Sequence, residues 1–175
     1  MDFKQRDFSF FELEKDSFEK AEAIVLPVPF ENTASYEEGA ANGASAIIEA
    51  SRFIEGFDLE LGCEAYKKIS CFTLADLKLG KEPDSAIRAI SEAFQALLER
   101  KKFVLMLGGD HSVSIGAFEA LAKKFSRKNL TVLQLDAHAD LRDSYLDRKL
   151  NHADVMRRAW EKFDCVQAGI RTIDI

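Results

Sequence analysis

Three residues of one short run have the types and spacing to do chemistry together: Asp136, His138 and Asp140 in Asp-Ala-His-Ala-Asp. In an extended segment, residues two apart point to the same side. Two carboxylates and an imidazole converging on one volume would repel or desolvate one another unless a cation sat between them. A mixed oxygen and nitrogen donor set suits Mn²⁺, Zn²⁺ or Fe²⁺ better than Ca²⁺, which takes oxygen ligands. The same residues also describe a solvated loop, and spacing alone does not choose between the two.

A second candidate, His111, lies in Gly108-Gly109-Asp110-His111-Ser112. The glycines permit a tight turn and close backbone approach, and Ser112 is placed to cap a following helix. A lone histidine in such a turn is more often structural than a ligand. A Gly-rich turn can also cradle phosphate, but this one lacks the P-loop lysine and the GxGxxG spacing, and Asp110 would repel the anion.

Both motifs need elements to position them, and the pattern supplies short apolar strands alternating with amphipathic helices. Strands are expected at Ala23 to Val28, Ser70 to Leu74, Phe103 to Leu107, Leu130 to Leu135 and Cys165 to Ala168. Helices are expected at Ala44 to Phe53, from Pro83-Asp84-Ser85 onward, at Val113 to Phe125 and at His152 to Phe163. Gly56 to Lys68 and Asp136 to Leu150 read as loops. This order predicts a parallel sheet covered by helices on both faces. His111 and Asp136 each follow a strand directly, and open α/β sheets place their ligands at the carboxyl ends of strands.

Composition narrows the function classes. At 175 residues the chain suits one domain, and 47% hydrophobic with 31% charged residues is a globular balance, not a disordered one. A net charge of −6 argues against a nucleic-acid or anionic-membrane surface. No apolar run approaches the roughly 20 residues that cross a bilayer, and Met1 to Phe11 lacks a signal-peptide core. Cys63, Cys71 and Cys165 form no CxxC pair, so a reducing cytoplasm is the expected location.

Taken together, the two motifs resemble the signature of the ureohydrolases, the arginase and agmatinase family. The resemblance extends to Pro29-Phe30-Glu31, Thr33, Ser35-Tyr36, Gly39 and Gly43 near the N-terminus. It continues through Leu141-Arg142-Asp143, Tyr145, Asn151-His152-Ala153 and Met156-Arg157-Arg158. Gly43-Ala44 stands where the agmatinase pattern usually has Gly-Pro. The resemblance implies a three-layer α/β/α fold with a parallel sheet, a fold shared with metal-dependent deacetylases. It also implies a site for two metal ions, usually Mn²⁺, with His111 and Asp140 on one, His138 on the other and Asp136 bridging. His152 matches the family's histidine near the substrate, as a proton shuttle or substrate contact; read without the family, it is a surface residue at a helix start. The implied reaction is hydrolysis of a C–N bond in a linear amidine, by water that the two ions activate.

Within the family, arginases typically follow DAHxD with an Asn that reads the substrate's α-carboxylate. Leu141-Arg142 stands there instead, which favours a small cationic guanidino substrate without that carboxylate, such as agmatine, and a place in polyamine biosynthesis. Asp143 or Asp147 could attract a distal amine, although a loop charge run is usually just solvated. The family's remaining metal carboxylates lie in a later Asp-x-Asp-x-x-Asp-Pro run, and none follows Asp140 here. The resemblance therefore implies that residues 1–175 are the N-terminal portion of a single ureohydrolase domain, truncated at its C-terminal side. It implies an incomplete, inactive site, and homo-oligomers for the full-length protein. The family's last strands insert between the third and fourth, so the sheet should part between Phe103 to Leu107 and Leu130 to Leu135. Other readings of the same residues are a non-catalytic metal-binding or partner-completed module, an arginase or guanidino-acid hydrolase, and an unrelated nucleotide-binding α/β protein.

Overall fold

The computed structural model describes residues 3–12, 17–31 and 38–173, so Thr33, Ser35 and Tyr36 lie outside the described residues. Strand β1 (Ala23–Val28) is central, flanked by parallel β4 (Cys71–Thr73) and β5 (Phe103–Gly108). A second parallel pair joins β6 (Thr131–Leu135) to β7 (Asp164–Ala168). Gly56 to Lys68, expected as loop, holds a small antiparallel hairpin, β2 (Phe57–Asp58) with β3 (Cys63–Glu64). Two-residue strands leave no periodicity to read.

Proline is normally excluded from a central strand, yet Pro27 lies inside β1. The pairing with β4 ends at Val25, and the Pro27 carbonyl accepts from Leu77 N–H at 3.0 Å on that side. Pro27 thus lies where β1 has run past its short neighbour, and its missing N–H costs no ladder bond.

The four α-helices are α1 (Gly43–Ala50), α2 (Pro83–Glu99), α3 (Val113–Lys124) and α4 (Val155–Trp160). Pro83 at the first turn of α2 donates no N–H where none is needed, and Asp84 meets the positive end of the helix. Its apolar stripe of Ile87, Ile90, Phe94 and Leu97 is buried. With α3 it covers one face of the three-stranded sheet, packing on Ile24, Leu26 and Val28. Each such fully buried aliphatic side chain contributes about 1.5–3 kcal/mol. A Cβ at Gly116 of α3 would lie 2.6 Å from the Ile90 Cβ, so glycine lets these two helices approach. Ile87, Ile115 and Val155 form a smaller cluster that carries the helical layer on to α4.

Two expected helices have other bounds. The helix expected to run to Phe53 ends at Ala50, and His152 to Phe163 is a 3₁₀ turn at His152–Asp154 leading into the six-residue α4. Cover on both sheet faces is only partial. The face opposite α2 carries an apolar groove of about 370 Å³ between Phe11, Tyr66, Phe103 and Leu105. As expected, the sheet parts between β5 and β6, which share no ladder among the described residues. Phe103, Leu133, Leu135 and Val166 lie more than half exposed there. No helix among the described residues is long and apolar enough to cross a membrane.

Candidate metal centre

The apolar strand β5 ends at Gly108, and the need for a second glycine directly after it, Gly109, is steric. A Cβ at Gly109 would lie 1.9 Å from the Phe30 carbonyl oxygen, the atom that accepts Asp110 N–H at 3.0 Å. Ser112, expected to cap α3, does not do so. Its hydroxyl turns back to the buried Asp110 carboxylate, which also accepts Ser112 N–H at 2.9 Å. An ionised acceptor makes the stronger bond and takes the hydroxyl from the helix end. This turn holds His111 at the mouth of β5.

The run after β6 is fixed by the segment that follows β7. Asp136 N–H donates to the Ala168 carbonyl at 3.1 Å, Arg171 N–H to Ala137 at 2.8 Å and Ala139 N–H to Thr172 at 3.0 Å. The segment is not extended throughout, because Asp140 adopts φ +50°. At the start of α4, the N–H groups of Met156 and Arg157 donate to the Asp140 carbonyl at 3.0 and 3.2 Å, which holds that turn. The turn separates the three residues expected on one side. Asp140 swings its carboxylate to 2.7 Å from His111 Nδ1, and Asp136 lies 3.8 Å from the same nitrogen. His138 has a largely exposed side chain, with Nδ1 at 3.5 Å from Asp136.

His111, Asp136 and Asp140 each offer one donor atom, all within 4.8 Å of one another. The Asp136 carboxyl feels opposing influences. Partial burial pushes it up, while the His138 N–H (2.8 Å) and the His111 imidazole pull it down, and the net result lies below the usual carboxylate range. Asp136 is thus an anion held ready beside an imidazole. Two carboxylate oxygens and one ring nitrogen fit a first-row divalent cation such as Mn²⁺ or Zn²⁺.

These residues line a cavity of about 420 Å³ that also includes His138, His152, Arg142 and Tyr145. His152 is half-buried in its wall, not on the open surface, with its ring edge-on to Tyr145 at 5.4 Å. It begins a turn capped by Asn151, whose side chain accepts Ala153 N–H at 2.9 Å while Asp154 closes a reciprocal capping box. Burial leads the influences that raise the Asp154 carboxyl above its ordinary range. Asp143 pairs with Arg158 at 3.1 Å and Lys149 at 3.3 Å, outside the cavity lining. Thr172 lines the same cavity, and nothing in its sequence setting marks it. Gln134 and Gln167 are two amides interrupting otherwise apolar strand faces, a pattern that marks them in the sequence.

The sequence matches the Arginase family over residues 21–175. It is 35% identical over 150 residues to the N(1)-aminopropylagmatine ureohydrolase of Synechocystis, covering 83% of this chain and 49% of that protein. It is 34% identical to the agmatinase of Bacillus anthracis, covering 81% and 48%. The crystal structure of agmatine ureohydrolase of Thermoplasma volcanium superposes with a TM-score of 0.80 at 30% identity, covering 91% of this chain and 53% of that one. A parallel sheet with this helical cover and that likeness define an arginase/agmatinase-type α/β fold. The chain belongs to the arginase family, and it spans about half the length of the curated relatives it matches.

Proposed function

We propose that this chain carries the N-terminal portion, residues 1–175, of a single ureohydrolase domain that hydrolyses a guanidino substrate, most simply agmatine to putrescine and urea. The convergence of His111, Asp136 and Asp140 at the carboxyl ends of β5 and β6 carries this reading. His111 and Asp140 would hold one Mn²⁺ ion, His138 the other, and Asp136 would lie between them. When bound, the ions supply Lewis acidity and water acidified to near neutrality. The protein's own part is to keep Asp136 ionised for the ions and to present the His152 imidazole in the cavity wall for proton transfer or substrate contact. The role belongs with polyamine formation in the cytoplasm, in a homo-oligomer, without nucleic-acid or membrane partners.

A second substrate, N(1)-aminopropylagmatine, is favoured by the name of the Synechocystis relative. Both substrates share the guanidino group and differ in the distal amine, so comparing their binding to the Mn²⁺-loaded chain by calorimetry separates them.

Titration calorimetry with Mn²⁺ tests the site. His111→Ala and His138→Ala should each weaken binding at least tenfold, and unchanged affinity in both would remove the ligand assignment. A thermal-shift gain with ATP or NAD and none with Mn²⁺ would favour the nucleotide-binding alternative. The described ligand set lacks the family's later carboxylates, so urea release from agmatine by these 175 residues with Mn²⁺ should be undetectable. Turnover would show that those carboxylates are dispensable.

A further inference from the structure

Gln134 and Gln167 stand directly opposite each other in the β6–β7 ladder. Gln134 is 6% exposed, and a buried amide destabilises a fold unless its polar atoms are met. Gln167 Nε2 donates to the Gln134 Oε1 and, at 2.8 Å, to the Ala139 carbonyl. Gln134 Nε2 donates to the His138 carbonyl at 3.2 Å. The amide orientations are set by this network, because flipping either would place oxygen against oxygen. The paired side chains therefore reach beyond the strands and hold two successive carbonyls between Asp136 and Asp140. The N–H groups of Asp136 and Ala139 are already held by Ala168 and Thr172. With both its donors and acceptors engaged, the run enters the left-handed turn at Asp140 that brings its carboxylate to His111.

We infer that Gln134 and Gln167 are positioning residues for the metal centre: the amide pair sets the His138–Ala139 backbone, and through it the Asp140 carboxylate, without touching ion or substrate. The inference rests on the metal-site reading above.

The test replaces both amides with apolar side chains of similar length, Gln134→Met with Gln167→Met, in the whole chain. Two quantities are read: backbone chemical shifts of Asp140 without metal, which report its positive φ, and Mn²⁺ affinity by calorimetry. With far-UV circular dichroism unchanged, the Asp140 shifts should leave their left-handed values and Mn²⁺ affinity should fall about 10–100-fold. Gln134→Glu should act in the same direction, since a carboxylate cannot donate to the His138 carbonyl. Wild-type Asp140 shifts in the double variant would overturn the inference, whatever the affinity does. Should that variant fail to fold, Gln167→Met alone is read by the same shifts. A wild-type chain that binds no Mn²⁺ removes the metal reading, while the Asp140 shifts still decide whether the amide pair sets the loop.

Discussion

Gly109 is where the backbone beside the site has least room. Alanine there would drive a methyl group into the Phe30 carbonyl, a backbone atom that cannot rotate away. Gly109→Ala should destabilise the chain by about 1–3 kcal/mol or more, measured by urea denaturation, and should displace His111. Gly43→Ala is a useful control, because its added Cβ would meet the Gly108 carbonyl oxygen at an ordinary 3.6 Å. A second residue-scale expectation concerns Asp140. Asp140→Asn keeps the shape but loses the charge facing His111, so Mn²⁺ affinity should fall at least tenfold by calorimetry. The residue types in Asp136-Ala137-His138-Ala139-Asp140 raise a cation site in the sequence, but only together with the His111 turn, through the family resemblance, do they favour it over a solvated loop. Which of them point inward is not legible, because it depends on a positive φ at Asp140, a turn met by N–H groups of α4 sixteen and seventeen residues along the chain on one side and by the Gln134 and Gln167 amides on the other.

At the scale of elements, the capping box before α4 ties a helix start to the cavity wall. Asp154 accepts both the N–H and the side-chain amide of Asn151, at 3.1 and 2.9 Å, and is fully buried. Asn151→Ala should cost about 1–2 kcal/mol by thermal unfolding and loosen the His152 ring from Tyr145, visible in its NMR line shape. The raised Asp154 carboxyl has a definite pH consequence. A folded value above the unfolded one gives stability present at low pH and lost as pH rises through the carboxylate range. Stability of wild type minus that of Asp154→Asn should therefore decline across that range; a flat difference would contradict the burial effect. Long elements such as α2 were readable from their periodicity, and so was β1. The turn at Ser112 was not, because local preference for a serine cap lost to the stronger acceptor Asp110.

On the scale of the molecule, apolar strand faces near the division between β5 and β6 stand open to solvent. Leu133 and Leu135 are 62% and 75% exposed, and Phe103 is 70% exposed. The purified chain should bind ANS and self-associate, and Leu133→Lys with Leu135→Lys should reduce both, measured by fluorescence and by light scattering. The place of this division followed from the family resemblance. The apolar groove under Phe11 and Tyr66 did not, because it is assembled from segments distant in sequence. The division also bears on mechanics. His111 stands at the end of one sheet, and Asp136 and Asp140 stand at the end of the other. A cation shared among them would act as a strap across two separately hydrogen-bonded halves, and each half would hold part of the grip. Its binding energy would then resist prising them apart, by about 2.7 kcal/mol at a hundredfold excess over its Kd. EDTA should accordingly broaden a single melting transition or split it into two.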